Sequence, residues 1–349
     1  MSLFVEEFAE KIVKKYIKEG EWLDCSLSDS YIYLEYYDEG GYSSIHKIMD
    51  RINGKYLILK RSSKKDFVPS SRWHDAMEIA PHRGIFDPSM ERRVERTFSS
   101  IPHSGSKSHQ LTVVPDAQPV GIQISKEAEF MVKIHQKLNG LKIYAYYDDD
   151  DHYILIMENG GRSLENIACS HKKKILDLIR YDGYRSNYFY QSYLNKIHRY
   201  MVKLYHKIKE IHDLGIHHND LKPENVLVKD DGMFIIDFGV SKAIESEHTT
   251  YLTYKGTLQY IPYEYVMYGS YKPWNHTVWC FGVMLHFLTL MKYPFSKEKD
   301  VVDYRLNYEQ INKLPPSFSA LILDCLHKRP SKRPRNLLER LENLRSYDG

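Results

Sequence analysis

Between His217 and Gly239 the chain gathers two aspartates, an asparagine and a lysine at short spacing. They lie in the run His217-His218-Asn219-Asp220-Leu221-Lys222-Pro223-Glu224-Asn225-Val226-Leu227-Val228 and in Asp237-Phe238-Gly239 just after it. Asn225 offers a carbonyl oxygen and Asp237 a full negative charge, the hard oxygen ligands that magnesium prefers. Asp220 can orient an incoming hydroxyl, and Lys222, two residues on, can neutralise a phosphate in transit. A phosphoryl group leaving a nucleotide needs both provisions, divalent metal across its oxygens and a carboxylate at the acceptor. The apolar runs Val226-Leu227-Val228 and Met233-Phe234-Ile235-Ile236 read as two strands, Asn225 entering the first and Asp237 leaving the second.

This pair of segments resembles the catalytic loop and metal-binding turn of the eukaryotic-type protein kinases, H-R-D-L-x-x-x-N followed by D-F-G, with only the arginine changed, to Asn219. The resemblance implies Asp220 and Lys222 as catalytic residues and Asn225 and Asp237 as metal ligands. ATP would be the cofactor, with magnesium, or manganese as the alternative cation. It also requires a glycine-containing loop and a strand lysine upstream. Asp38-Glu39-Gly40-Gly41-Tyr42-Ser43-Ser44-Ile45 supplies the loop in degenerate form: Gly40 matches the middle glycine, while Asp38 and Ser43 stand at the outer positions. A carboxylate there repels polyphosphate mildly and predicts a looser lid. Asn53-Gly54 reads as a tight turn between two strands, placing Lys60 one hairpin downstream. In Lys126-Glu127-Ala128-Glu129-Phe130-Met131-Val132-Lys133-Ile134, Glu127 is the expected partner of Lys60, because Phe130, Met131 and Ile134 then follow at core-facing helical spacing; Glu129 is the alternative.

Further along, Tyr153 to Glu158 reads as a buried strand entering a hinge, with Met157 at the back of the nucleotide pocket. Gly160-Gly161-Arg162-Ser163-Leu164 is similar to the hinge exit of haspin-like kinases. The resemblance implies Gly40, Gly41, Ser43, Ile45, Ile58, Lys60, Glu127, Met157, Glu158 and Leu227 around the nucleotide. Tyr193 to Leu214 is expected as a long amphipathic helix feeding the catalytic loop, and Lys255 to Tyr260 as the end of an activation segment. Glu264 and Arg333 match a buried ion pair tying that segment to the C-terminal helices. Lys222 and Thr257 resemble the serine/threonine branch of the family, so the acceptor is expected to be a serine or threonine of a protein substrate, with autophosphorylation.

Four departures bear on this reading. Pro262-Tyr263-Glu264 replaces Ala-Pro-Glu, and Ile58 narrows the site above adenine. Thr277 stands where an aspartate normally supports the backbone of the catalytic loop. Asn219 removes an arginine that reads a phosphate on the activation segment, so activity without activation-segment phosphorylation is expected. A nucleotide-binding pseudokinase scaffold is the competing reading, favoured by the degenerate glycine loop, Asn219 and Thr277; retention of Asp220 and Asn225 together speaks against it. Small-molecule phosphorylation on the same fold is a third, and tyrosine or dual specificity a further one; many of the 29 tyrosines among 349 residues, such as Tyr31, Tyr33 and Tyr153, fall in strand-like runs and read as core packing or biased codon usage.

The resemblance extends over residues 30 to 345 and implies an α+β, bilobal fold with a small β-rich N-lobe and a larger, mainly helical C-lobe. Residues 1–25 are expected as an N-terminal extension, with Phe4, Phe8, Ile12 and Tyr16 on one face of a helix over Leu3 to Lys18. Residues 26–158 are expected as the N-lobe and 159–349 as the C-lobe. The stretch 61–120 separates Lys60 from the glutamate helix by an unusual length. It is rich in serine, proline and arginine, with one helix expected near Pro88 to Phe98, and is either a surface loop or a docking element for a regulatory partner. The net charge of +3 calls for no obligate nucleic-acid partner. No stretch reaches the roughly 18 apolar residues of a transmembrane segment, and the start lacks a basic secretory signal. The four cysteines have no paired or metal-ligand spacing, which predicts a reducing compartment, cytoplasmic or otherwise intracellular, in a host cell if the source is viral or an effector.

Overall fold

A computed structural model describes residues 31–40, 43–63, 112–113, 126–148, 152–180 and 188–346. The expected helices at Leu3 to Lys18 and near Pro88 to Phe98, together with Gly41, lie outside these residues. The chain divides into two compact units, residues 1–122 with 144–157, and 123–143 with 158–349.

The first unit is built on a sheet of six strands: β1 (Tyr31–Gly40), β2 (Ser43–Asp50), β3 (Tyr56–Ser63), β4 (Thr112–Val113), β5 (Ile143–Asp148) and β6 (His152–Glu158). Their order is β1-β2-β3-β6-β5-β4. β1, β2 and β3 form an antiparallel meander. The β2–β3 turn is fixed by Asp50, whose Oδ1 accepts from Ile52 N at 2.8 Å and Asn53 N at 3.3 Å, while Gly54 takes the left-handed φ of 67°. Ile48, Leu57, Leu59, Ile154 and Ile156 pack as the core of this unit. Register pairs Ser43 with Ser62, Ile45 with Lys60 and Lys47 with Ile58, so these six share the opposite face. Arg61, Ser62 and Ser63 continue β3, and Thr112 and Val113 pair with β5. The expected insertion at 61–120 thus begins inside β3 and contains the paired residues Thr112 and Val113; the rest of it lies outside the described residues.

The second unit contains α1 (Lys126–Leu138), α2 (Leu164–Cys169), α3 (Lys172–Arg180), α4 (Tyr188–Asp213), α5 (Tyr263–Tyr268), α6 (Pro273–Leu290), α7 (Glu298–Asp303), α8 (Tyr308–Ile311), α9 (Pro316–Cys325) and α10 (Leu337–Glu342). Five short strands accompany them: β7 (Arg162–Ser163), β8 (Ile216–His217), β9 (Val226–Lys229), β10 (Gly232–Ile235) and β11 (Lys242–Ala243). The helix α1, expected with the N-lobe, groups here because it is fastened to α4. Lys133 Nζ donates to Leu214 O at 2.9 Å, and Lys207 Nζ to Leu138 O at 3.5 Å.

Residues from His276 to Leu290 of α6 are buried on every face, as suits an apolar helix at the centre of a core. α4 buries a stripe from Tyr190 through Leu194, Ile197, Met201, Leu204 and Ile208 to Ile211. Tyr190 and Tyr193 anchor it to α6 by hydroxyl hydrogen bonds to Thr289 O and Leu288 O. This helix begins at Tyr188 rather than Tyr193, because Tyr190 already belongs to the buried stripe. Beyond α5, Arg333 grips Glu264 with two parallel bonds of 2.8 and 2.6 Å and lies over the Trp279 ring, with both ion-pair partners buried.

Candidate active site

The second unit places the catalytic-loop residues by locking two short strands and a turn together. β8 pairs with β11 antiparallel, His217 opposite Lys242. His218 then joins the loop to the Asp237-Phe238-Gly239 turn. Its Nδ1 accepts from Asp220 N at 3.3 Å, its Nε2 donates to Ile236 O at 2.8 Å, and its ring meets the buried Phe238 edge-on at 4.8 Å. Accepting on one nitrogen and donating from the other requires a neutral ring, and burial lowers its pKa accordingly. Asn219 and Asp237 both take left-handed φ, 68° and 67°, a conformation that these short polar residues tolerate best after glycine.

Around Asp220 three donors converge. Thr257 N donates to Oδ1 at 2.7 Å, Lys222 Nζ lies 3.0 Å from Oδ2, and Asn225 Nδ2 lies 3.3 Å from Oδ2 and 2.9 Å from the Asp220 carbonyl. Lys222 Nζ also donates to Thr257 Oγ1 at 2.7 Å. Thr257 can come this close because its neighbour is glycine: a Cβ on Gly256 would stand 2.4 Å from Asn219 O. Burial alone would lower the pKa of Lys222, but the Asp220 carboxylate, helped by Glu224 and Asp237, outweighs it and leaves the pKa raised. The site thus offers an oriented carboxylate beside a firmly protonated lysine, the pair that an attacking hydroxyl and a migrating phosphoryl group require.

Asn225 and Asp237 fit a divalent cation. The Asn225 NH₂ is committed to Asp220, which fixes the amide and leaves Oδ1 as the oxygen that could ligate a cation, while Asp237 brings a carboxylate from the turn beyond β10. Among the described residues no group of three His, Cys, Asp or Glu forms a metal cage. Two protein oxygens suit magnesium bound together with phosphate oxygens and water.

The remaining expected residues fall as follows. Glu127 is 4 % exposed on α1, while Glu129 faces solvent. A Cβ on Gly239 would lie 3.7 Å from Glu127 Oε2 and 3.6 Å from Asp237 Oδ1, so Glu127 reaches the Asp237-Phe238-Gly239 turn. Glu158 donates its amide to Lys142 O at 2.8 Å and meets Lys229 Nζ at 3.5 Å. Leu227 is half-buried on β9, and its Cδ1 would stand 2.7 Å from a Cβ on Gly160. In the first unit Lys60 and Met157 are buried, Ser43, Ile45 and Ile58 are half-buried, and Gly40 pairs with Ser43 across the β1–β2 ladder.

Sequence reasoning used Thr257 only to choose the acceptor branch and missed its amide as a ligand of Asp220. It missed Lys242 and Tyr271 entirely. Tyr271 OH donates to Asn219 Oδ1, and Lys242 Nζ donates to Thr253 O and lies 3.2 Å from Thr253 Oγ1. A basic residue five positions after Asp237 was the available signal for Lys242; nothing in the sequence marked Tyr271.

Residues 107–341 match the protein kinase domain family. The chain is 46 % identical over 354 aligned positions, covering 99 % of this chain and 97 % of the relative, to "Putative serine/threonine-protein kinase 040L" of Invertebrate iridescent virus 3. It is 29 % identical over 138 positions to serine/threonine-protein kinase pim-2 of Danio rerio, covering 39 % of this chain and 43 % of that protein. Against serine/threonine-protein kinase PSK2 of Saccharomyces cerevisiae the identity is 26 % over 216 positions, 60 % of this chain and 18 % of that protein.

Proposed function

The chain belongs to the protein kinase family, and from that premise we propose that it transfers the terminal phosphoryl group of ATP to serine and threonine hydroxyls of protein substrates, itself among them. The observation that carries this reading is the closed set Asp220, Lys222 and Thr257, in which Lys222 bridges the Asp220 carboxylate to Thr257 Oγ1. Asp220 orients the acceptor hydroxyl and takes up its proton, and Lys222 holds positive charge beside the transferring group. Asn225 and Asp237 hold the divalent metal, and their hard oxygens favour magnesium over softer ions. When bound, nucleotide and metal supply the phosphoryl donor and the charge that offsets its oxygens.

Lys60 paired with Glu127 positions the nucleotide in this reading, with Gly40, Gly41, Ser43, Ile45, Ile58, Met157, Glu158 and Leu227 around it. Residues 26–158 serve as the N-lobe and 159–349 as the C-lobe. The relatives named as serine/threonine kinases support the acceptor type. The serine-, proline- and arginine-rich stretch within 61–120 is either a surface loop or a docking element for a regulatory partner. Cys280 and Cys325 are buried free thiols, which supports an intracellular site of action, in the host cell given the viral relative. Among the described residues no helix is long and apolar enough to cross a membrane.

Transfer of label from ATP and magnesium to the chain and to a basic protein substrate, beside Asp220→Asn, tests the proposal. Labelled phosphoserine and phosphothreonine that vanish in the variant are expected. Label that persists in the variant, or that appears only on tyrosine, would overturn it.

A further inference from the structure

A row of buried polar groups lies beneath the catalytic loop and has no part in the chemistry described so far. Thr277 Oγ1 is 3.0 Å from His212 Nε2, and His212 Nε2 is 3.4 Å from His217 Nδ1. His217 Nε2 is 3.0 Å from His276 Nδ1, and His276 Nε2 is 3.3 Å from Tyr260 O. The row starts at the end of α4, crosses the residue that heads the catalytic loop, enters α6 and ends on the segment that carries Thr257. His217, His276 and Thr277 are buried.

The hydrogens in this row follow from its one member without a choice. Tyr260 O can only accept, so His276 Nε2 must carry hydrogen. His276 is neutral, since burial pushes its pKa down to about 3, and its Nδ1 therefore accepts from His217 Nε2–H. His217 Nδ1 then accepts from His212 Nε2–H, shared with Thr277 Oγ1. The opposite polarity would begin with the Cys280 thiol, whose Sγ is 3.3 Å from His276 Nε2. That arrangement sets an unprotonated nitrogen against the lone pairs of Tyr260 O, and so is disfavoured.

The middle of the row and its last member both bear on Asp220. His217 lies three residues before it, and Tyr260 lies three residues after Thr257, whose amide bonds Asp220 Oδ1. Thr277, where the family resemblance leads one to expect a carboxylate, reaches His212 rather than supplying negative charge. We propose that His276 is a positioning residue for phosphoryl transfer, holding the catalytic loop and the acceptor-side segment in one register through a neutral, one-directional chain of imidazoles. This rests on the kinase reading above, but its spectroscopic test does not depend on activity.

Two measurements on the full chain test it. Histidine-selective ¹⁵N NMR at pH 7 should show His212, His217 and His276 neutral with hydrogen on Nε2; a cationic His276, or one protonated on Nδ1, overturns the proposal whether or not the chain transfers phosphate. In steady-state kinetics, His276→Leu should lower kcat about tenfold with little change in KM for ATP. His276→Gln, which keeps a donor near Tyr260 O, should recover most of that loss. A wild-type kcat in His276→Leu, or a kcat loss that His276→Gln leaves undiminished, overturns the positioning role. Should His276→Leu fail to fold, the glutamine variant and the wild-type spectrum still decide.

Discussion

At Asp220 the three donors differ in what a substitution can remove, and this separates a backbone contribution from a side-chain one. Thr257→Ala keeps the amide that bonds Asp220 Oδ1 at 2.7 Å and deletes only the Oγ1 that accepts from Lys222 at 2.7 Å. Lys222 then loses one fixed partner of two, a net loss of about 1 kcal/mol for a single hydrogen bond. We expect kcat for a peptide acceptor to fall about fivefold to tenfold and Thr257→Ser to restore it, measured under saturating ATP. An equal loss in the serine variant would place the effect in packing of the threonine methyl. The grouping of Asp220 with Lys222 and Asn225 was legible in the sequence, because their chemistry restricts residue type and spacing together. Glu127 was legible over Glu129 because helical periodicity separates a buried carboxylate from an exposed one. The Thr257 amide was not legible, because every non-proline residue carries a backbone N–H.

Between β11 and α6 the activation segment is fastened by neutral and lysine hydrogen bonds. Tyr271 OH donates to Asn219 Oδ1 and lies 3.2 Å from Thr253 O, and Tyr251 and Tyr271 form a two-way backbone bridge of 2.9 and 3.1 Å. Lys242 joins the same cluster through Thr253 and sits 4.6 Å from the Tyr251 ring centre. A segment held this way is expected to be ordered without a phosphate. Replacing Thr249, Thr250 or Thr253 by alanine should therefore leave kcat within about twofold, whereas Tyr271→Phe should lower it several-fold by stripping Asn219 Oδ1 of its donor. Rates on enzyme purified free of phosphate would check this. A large loss at Thr253 that aspartate restores would show a phosphorylation switch instead. The strands β2 and β3, their turn and the helix α4 were readable from alternation, Asn53-Gly54 and amphipathic spacing. The five-residue error at the start of α4 arose because the Tyr188-Phe189-Tyr190 run carries aromatic residues on both faces and blurs the stripe. The bridge of Tyr251 to Tyr271 joins residues far apart in sequence, and long-range pairing of that kind has no local signature.

At the scale of the whole molecule, buried imidazoles among the described residues oppose acidification. Burial lowers His212 and His286 to about 4 and His276 to about 3, and it drives His217 well below its ordinary value, with the neighbouring imidazoles and Lys242 adding to the effect. In the unfolded chain each of these rings titrates near 6.5. On acidification the unfolded state therefore takes up protons first, and stability falls as pH drops below about 6.5. Each ring costs about 1.4 kcal/mol per pH unit until its own folded value is reached. Glu224 acts in the opposite sense: burial raises its pKa, so the cost of holding its charge is relieved as pH falls through that raised value. One carboxyl cannot offset these rings, and burial lowers His46, His198 and His218 in the same sense. Urea unfolding at pH 7.0, 6.0 and 5.0 should accordingly show a steep loss of stability over a range in which ordinary carboxylates remain ionised (~pH 5–7). His276→Gln should reduce that slope by about one proton's worth, even though it lowers stability at pH 7. An unchanged slope in this variant would mean that His276 takes up its proton near pH 6.5 in the folded protein as in the unfolded chain, and the directional row of imidazoles would then be lost below that pH.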